Sequence, residues 1–168
     1  MMRSTTRLAS DRAGTAAAEM ALSLPLLIIL LFGSFELGYY FLSEHVVQKA
    51  VRDAARYASR LPMNSYPSCD PVNGVTAAAR LEIQKLARTG DPQGTTARLQ
   101  GWTQDTMTTV TMSCDTSGTY SGVYATQPNV PIVTVSAAVP YPSLFGTLGL
   151  PDPGLTLNAR SQSAVFGA

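Results

Sequence analysis

The sequence is short of charge, histidine and cysteine, and each shortage closes off a class of function. Charged residues make up 14% of the 168, against about 25% in an ordinary soluble domain. The deficit is local, because residues 20–35 contain no charged side chain at all. The formal net charge is only +1, so no basic surplus exists to neutralise phosphates, and nucleic acid is not expected as a partner. A structural zinc site wants four closely spaced ligands. One histidine, His45, and two distant cysteines, Cys69 and Cys114, do not supply them, and no C-x-x-C is present. No G-x-S-x-G turn and no phosphate-cradling glycine loop occurs. The carboxylates are few and scattered, without an acid–base pair. A catalytic histidine needs a nucleophile in reach; His45, between Glu44 and Val46, reads as an interfacial structural residue. No catalytic residue, cofactor or metal is therefore expected, and the chain is not read as an enzyme.

What the sequence does have is one long apolar run. A short tail carries Arg3, Arg7 and Arg12 with a single acid, Asp11. Gly14, Thr15, Ala16, Ala17, Ala18 and Glu19 follow, then the uncharged residues 20–35, Glu36, and residues 37–42. A helix over residues 20–35 spans about 24 Å, and one over residues 20–42 about 34 Å. A bilayer core is about 30 Å thick, so the longer segment crosses it with Glu36 near or inside the far interface. A carboxyl at that depth is costly and usually marks an interaction. The plainer alternative puts Glu36 at headgroup level beside Tyr39 and Tyr40, in the usual aromatic belt. The three arginines before the run place the N-terminus in the cytoplasm by the positive-inside rule, and everything after residue 42 outside it.

The helix is expected to continue beyond the membrane. Val47, Val51, Ala54, Ala58 and Leu61 recur at helical spacing as an apolar seam, with Arg52, Asp53, Arg56 and Arg60 off it. Pro62 ends the helix. The spacing thus predicts one helix over residues 15–60, kinked within the bilayer by Pro25.

The remainder reads as a small α+β domain. Residues 62–73 form a loop containing Cys69. A second helix is expected over residues 75–88, capped by Asn73 or Thr76, ending at Gly90, with Val75, Ala79, Ile83 and Leu86 on one face. Leu81 falls off that face. Period-two alternation marks three strands, over residues 109–114, 133–139 and 155–160. Loops over residues 115–131 and 140–154 separate them, and the strands form a small antiparallel sheet with one buried face. The outer half of the long helix is expected to pack on it. Two cysteines beyond a membrane segment read as one disulfide, Cys69 to Cys114, in an oxidising compartment; the alternative is two buried thiols. Closing a loop of about 46 residues is worth about 4 kcal/mol in the chain-entropy account. Trp102, Tyr120, Tyr124 and Tyr141 either line a binding surface or belong to the core. An apolar loop with Leu144, Phe145, Leu148 and Leu150 either meets a partner subunit or folds onto the sheet.

The placement of Glu19 is odd for a plain anchor, since a charge at the start of a membrane run gains nothing without a partner. Cleavage after Gly14 would give Thr15 a new α-amine, with Glu19 four residues further along the helix. Amine and carboxylate of neighbouring subunits could then pair and cancel two charges that are costly in lipid. Gly14, Thr15 and Glu19 resemble the processing site of type IV prepilins. The run RAGTAAAEMALSLPLLIILLFGSFELG, with Gly33, Glu36 and Gly38 in its Gly-x-x-Glu-x-Gly portion, resembles the TadE-like family, the minor pilins or pseudopilins of the Tad tight-adherence pilus system. The continuation AVRDAARYASR is similar to that family in its Ala/Arg pattern. Met20 departs from the Phe frequent there, a tolerable apolar exchange.

The resemblance implies a pilin-like fold and a leader over residues 1–14, cut by a prepilin peptidase on the cytoplasmic face. It implies a transmembrane helix over residues 15–42, an amphipathic continuation over 43–61 and an extracytoplasmic domain over 62–168. Glu36, Gly33 and Gly38 become candidates for subunit or membrane contact. The implied partners are the prepilin peptidase, other pilin-like subunits and the assembly platform in the inner membrane. The implied role is priming, assembling or anchoring an adhesive pilus. Two rivals stand beside this reading. A secretory signal peptide would have its apolar core over residues 20–32, but Glu19 intrudes, no Ala-x-Ala site follows, and the amphipathic continuation argues that the helix is kept. A single-pass anchored adhesin or periplasmic binding protein would need no processing at all.

Overall fold

The computed structural model describes residues 12–125, 127–146 and 154–167. Arg3, Arg7 and Asp11 of the expected leader lie outside the described residues, as do Leu148 and Leu150 of the apolar loop. The chain divides into two compact units, residues 1–39 and 40–168.

Helix α1 (Arg12–Arg60) begins in the first unit and ends in the second. Alanine and unbranched apolar residues favour it. Its described part begins at Arg12, three residues before the expected Thr15, within the usual spread of helix ends. Pro25 lies inside it and cannot donate to the carbonyl of Ala21. The hydroxyls of Ser23 and Ser34 fold back onto the carbonyls of Met20 (3.4 Å) and Leu30 (2.7 Å), so neither needs a partner from the surroundings.

In the second unit, α1 buries Val47, Ala50, Val51, Ala54, Ala55 and Ala58. Four of the five expected seam residues are among them. The fifth, Leu61, lies just past the helix and is half-buried. Because most of these residues are alanines, the backbone of α1 approaches its neighbours closely. The carbonyls that the helix end leaves open find donors from three segments. The Tyr66 hydroxyl donates to Ala58 O, and the backbone amides of Leu61 and Phe166 donate to Ala58 O (3.2 Å) and Ser59 O (3.1 Å).

Helix α2 (Ala77–Thr89) is capped by Thr76, whose side chain accepts from Ala79 N, and closed by Gly90 at φ 90°, whose N–H donates to Leu86 O. The buried face is Ala79, Ile83 and Ala87. It differs from expectation in its last member: Leu86 is only half-buried and Ala87 takes the inward position, four residues after Ile83. Leu81 is exposed, as its place off the face requires. The Tyr57 hydroxyl donates to Glu82 at 3.0 Å, joining α1 to α2.

The sheet has the order β1-β2-β3, all antiparallel, with β1 Thr108–Asp115, β2 Val130–Pro140 and β3 Thr156–Ala164. Val110 faces Val135, Met112 faces Val133 and Val139 faces Leu157 across the ladders; all six are buried. The other face carries Thr109, Thr111, Ser136, Asn158, Arg160 and Gln162. β3 runs four residues past the expected end at Arg160. Residues 161–164 lack alternation, and pairing with β2 extends the strand where side-chain pattern gives no signal. Pro131, expected in a loop, sits in β2 opposite Cys114. It has no N–H to give, but its carbonyl accepts from Val165 N at 2.8 Å.

Cys69 and Cys114 are joined, with Cα atoms 5.5 Å apart, so the loop after α1 is fastened to the end of β1. Pro71 O accepts from Met112 N at 3.3 Å in the same place. A Cβ on Gly74 would lie 2.3 Å from Asp70 O and 2.8 Å from Met112 Cβ, so only glycine lets this loop lie so close to β1. Trp102 and Tyr141 are buried and belong to the core, not to a binding surface. Tyr120 and Tyr124 are half-buried.

Candidate subunit interface on the N-terminal helix

Gly14, Thr15 and Glu19 all lie exposed near the start of α1. The Gly14–Thr15 bond lies close to the start of the described part of the helix, and helix ends fray. Nothing lies within 4 Å of a Cβ built on Gly14. Thr15 and Glu19 are four residues apart, so they share a helix face one turn apart.

Beyond Glu19 the helix presents apolar side chains on every side. Leu22, Leu26, Ile29, Leu30, Phe35 and Leu42 are each more than half exposed. This is the one helix among the described residues long and apolar enough to cross a membrane. A helix apolar all round needs lipid or other helices against it, because no single polar face remains for water.

Gly33, Glu36 and Gly38 do not form one face. At 100° per residue, Glu36 is about 60° round the helix from Gly33 but about 160° from Gly38. A Cβ on either glycine would meet nothing within 4 Å, so each marks a flat place where another helix can approach closely. Glu36 and Tyr39 are half-buried among exposed neighbours. Tyr40 stacks edge-on against Tyr141 with centroids 5.2 Å apart and against Phe41 at 5.8 Å, giving the aromatic cluster that an interface belt would use.

Past Leu42 the buried seam leaves a complementary line of exposed residues, His45, Lys49, Arg52, Arg56 and Arg60. Its spacing is legible in the sequence only once the seam is fixed.

Residues 14–56 match the family of TadE-like proteins. No curated protein and no solved structure matches the chain. The matched segment contains Gly14, Glu19, Gly33, Glu36 and Gly38 together with most of the seam, and it ends before the sheet domain. Over residues 14–56, about a quarter of its length, the chain is similar to TadE-like proteins.

Proposed function

We propose that this chain is a minor pilin of a Tad-type pilus, held in the bacterial inner membrane by α1 with its N-terminus cytoplasmic and residues 43–168 outside. Its work is structural, not enzymatic: its N-terminal helix joins other pilin-like subunits at the assembly platform to prime, assemble or anchor the fibre. One observation carries the reading. A carboxylate, Glu19, stands five residues after Gly14 at the head of a helix apolar on every side. In lipid that charge is tolerable only with a partner, and the α-amine of Thr15, released by a prepilin peptidase, supplies one across the subunit boundary.

Replacing Glu19 with Ala tests this. The apolar run is untouched, so the Glu19→Ala chain is expected to insert and to be extracted with the membrane as before. Assembly is expected to fail, since removing one partner of a desolvated charge pair costs about 3–5 kcal/mol at each contact. Pili counted by electron microscopy should be absent from cells carrying only this variant. Normal piliation would leave the rival reading, an anchored binding protein or adhesin without a pilus role.

A further inference from the structure

Between residues 45 and 60 the exposed side chains of α1 are His45, Lys49, Arg52, Arg56 and Arg60, and no others. Every exposed position on this stretch is therefore basic. The line lies opposite the buried alanine seam and runs for about 22 Å along the helix. The acids nearby are turned elsewhere. Glu44 accepts from Gln48 at 3.1 Å, and Asp53 lies 3.5 Å from Arg98. Arg52 Nε donates to Gln48 O at 3.2 Å, which steadies the side chain. Among the described residues none of the five has a carboxylate partner.

Helix stability does not account for such a line. Like charges one turn apart oppose helix formation by about 0.2–0.5 kcal/mol per pair. The helix dipole favours cations only in the last turn, which covers Arg60 and its near neighbours but not Lys49 or Arg52. Solubility is served by mixed signs, not by one. Beside Arg52 there is also a cleft of about 220 Å³ lined by Gln48, Arg52, Asn158, Ala159 and Arg160. There Arg160 of β3 borders the same cleft as Arg52. Guanidinium groups are donors without acceptors, shaped for carboxylates.

We propose that this cationic line docks an acidic face on a different pilin-like subunit, with one of its carboxylates seated between Arg52 and Arg160. The identity of the partner as a pilin-like subunit rests on the function proposed above; its acidic chemistry does not. A second copy of this chain offers a cationic line of its own at the same place. Lipid headgroups form a layer about 5–8 Å deep, and the line begins three residues past Leu42, so along a helix rising about 1.5 Å per residue headgroups reach His45 but not the rest.

The probe is a fluorescent helical peptide with Glu residues at the matching 4, 3, 4 and 4 spacing, titrated into the full-length chain in phosphatidylcholine nanodiscs. Binding is expected to weaken roughly tenfold or more in Arg52→Glu/Arg56→Glu, as loss of charge-assisted hydrogen bonds implies, and to weaken with added salt. The milder pair Lys49→Gln/Arg56→Gln should fall between, and unchanged Trp102 fluorescence confirms that each variant is folded. The proposal is overturned if no binding is seen, if the double Glu variant binds as wild type does, or if a scrambled-spacing Glu peptide binds equally well. It is also overturned if phosphatidylglycerol in the disc displaces the peptide, or if the line instead mediates self-association. The Glu19→Ala chain should bind the peptide normally. Normal piliation in that variant would thus remove the pilus reading and leave the docking line standing, and loss of peptide discrimination would do the reverse.

Discussion

Replacing Cys69 and Cys114 with serine is expected to lower the stability of the 40–168 unit by about 4 kcal/mol, the chain-entropy value for a crosslink spanning about 45 residues. The bridge is the covalent tie between the loop after α1 and the end of β1, and the chain on either side is already ordered for it. Each cysteine is followed by an aspartate that closes a turn. The Asp70 carboxylate accepts from Asn73 N (2.6 Å) and Val72 N (2.8 Å). Asp115 accepts from the Ser117 hydroxyl (2.6 Å) and Ser117 N (2.9 Å). These bonds hold both carboxyls below their usual range. Their support is therefore present at neutral pH and is lost as the pH falls through those lowered values. The expected loss is a large share of the roughly 5–15 kcal/mol that stabilises a typical domain. For a unit of this size it corresponds to a fall in Tm of roughly 12–20 °C. The chain has one tryptophan, so Trp102 fluorescence reads the transition directly. Reduction of the wild-type protein should reproduce the shift. A Tm within a few degrees of wild type would mean that the bridge constrains nothing the fold does not already hold.

Truncating Trp102 is the second large effect. Its side chain is fully buried, and Trp102→Ala should cost about 3–5 kcal/mol through lost burial and the cavity left behind. Trp102→Phe should cost much less. The indole N–H has no acceptor among the described residues, so phenylalanine removes an unsatisfied donor along with some volume, and the two effects partly cancel. Urea unfolding followed by circular dichroism distinguishes them. Equal losses for Ala and Phe would show that the indole N–H is satisfied in solution.

The fold was legible in the sequence wherever side-chain period and local chemistry agree. The Val47, Val51, Ala54 and Ala58 seam, the cap at Thr76 and the stop at Gly90 are local signals, and each stands where the sequence puts it. The alternation in β1 and β2 likewise yields their inner faces. Legibility ends where pairing with another strand decides the outcome. Residues 161–164 join β3 because β2 lies beside them, and Pro131 enters β2 because only its carbonyl is needed there. Leu86 against Ala87 shows the same limit, since the helix period admits both and packing selects the smaller residue.

At the candidate interface the difference is sharper. The apolar run and the Gly14 to Glu19 spacing are one-dimensional features, and they carry most of the functional reading. Gly33, Glu36 and Gly38, named as candidates for subunit or membrane contact, spread over more than one face of the helix, with Gly38 about 160° from Glu36. Arg52, Arg56 and Arg60 already stand off the seam in the sequence, with Asp53 among them; burial sets Asp53 aside and adds His45 and Lys49 to complete the line. Arg160 joins it from more than a hundred residues away through the register of β3.

The central claim is that the chain is processed between Gly14 and Thr15 and keeps its helix. The intact mass of the protein extracted from membranes tests it most directly. The account predicts a chain that starts at Thr15; a chain that retains Met1, or one cut near Ser34, would contradict it.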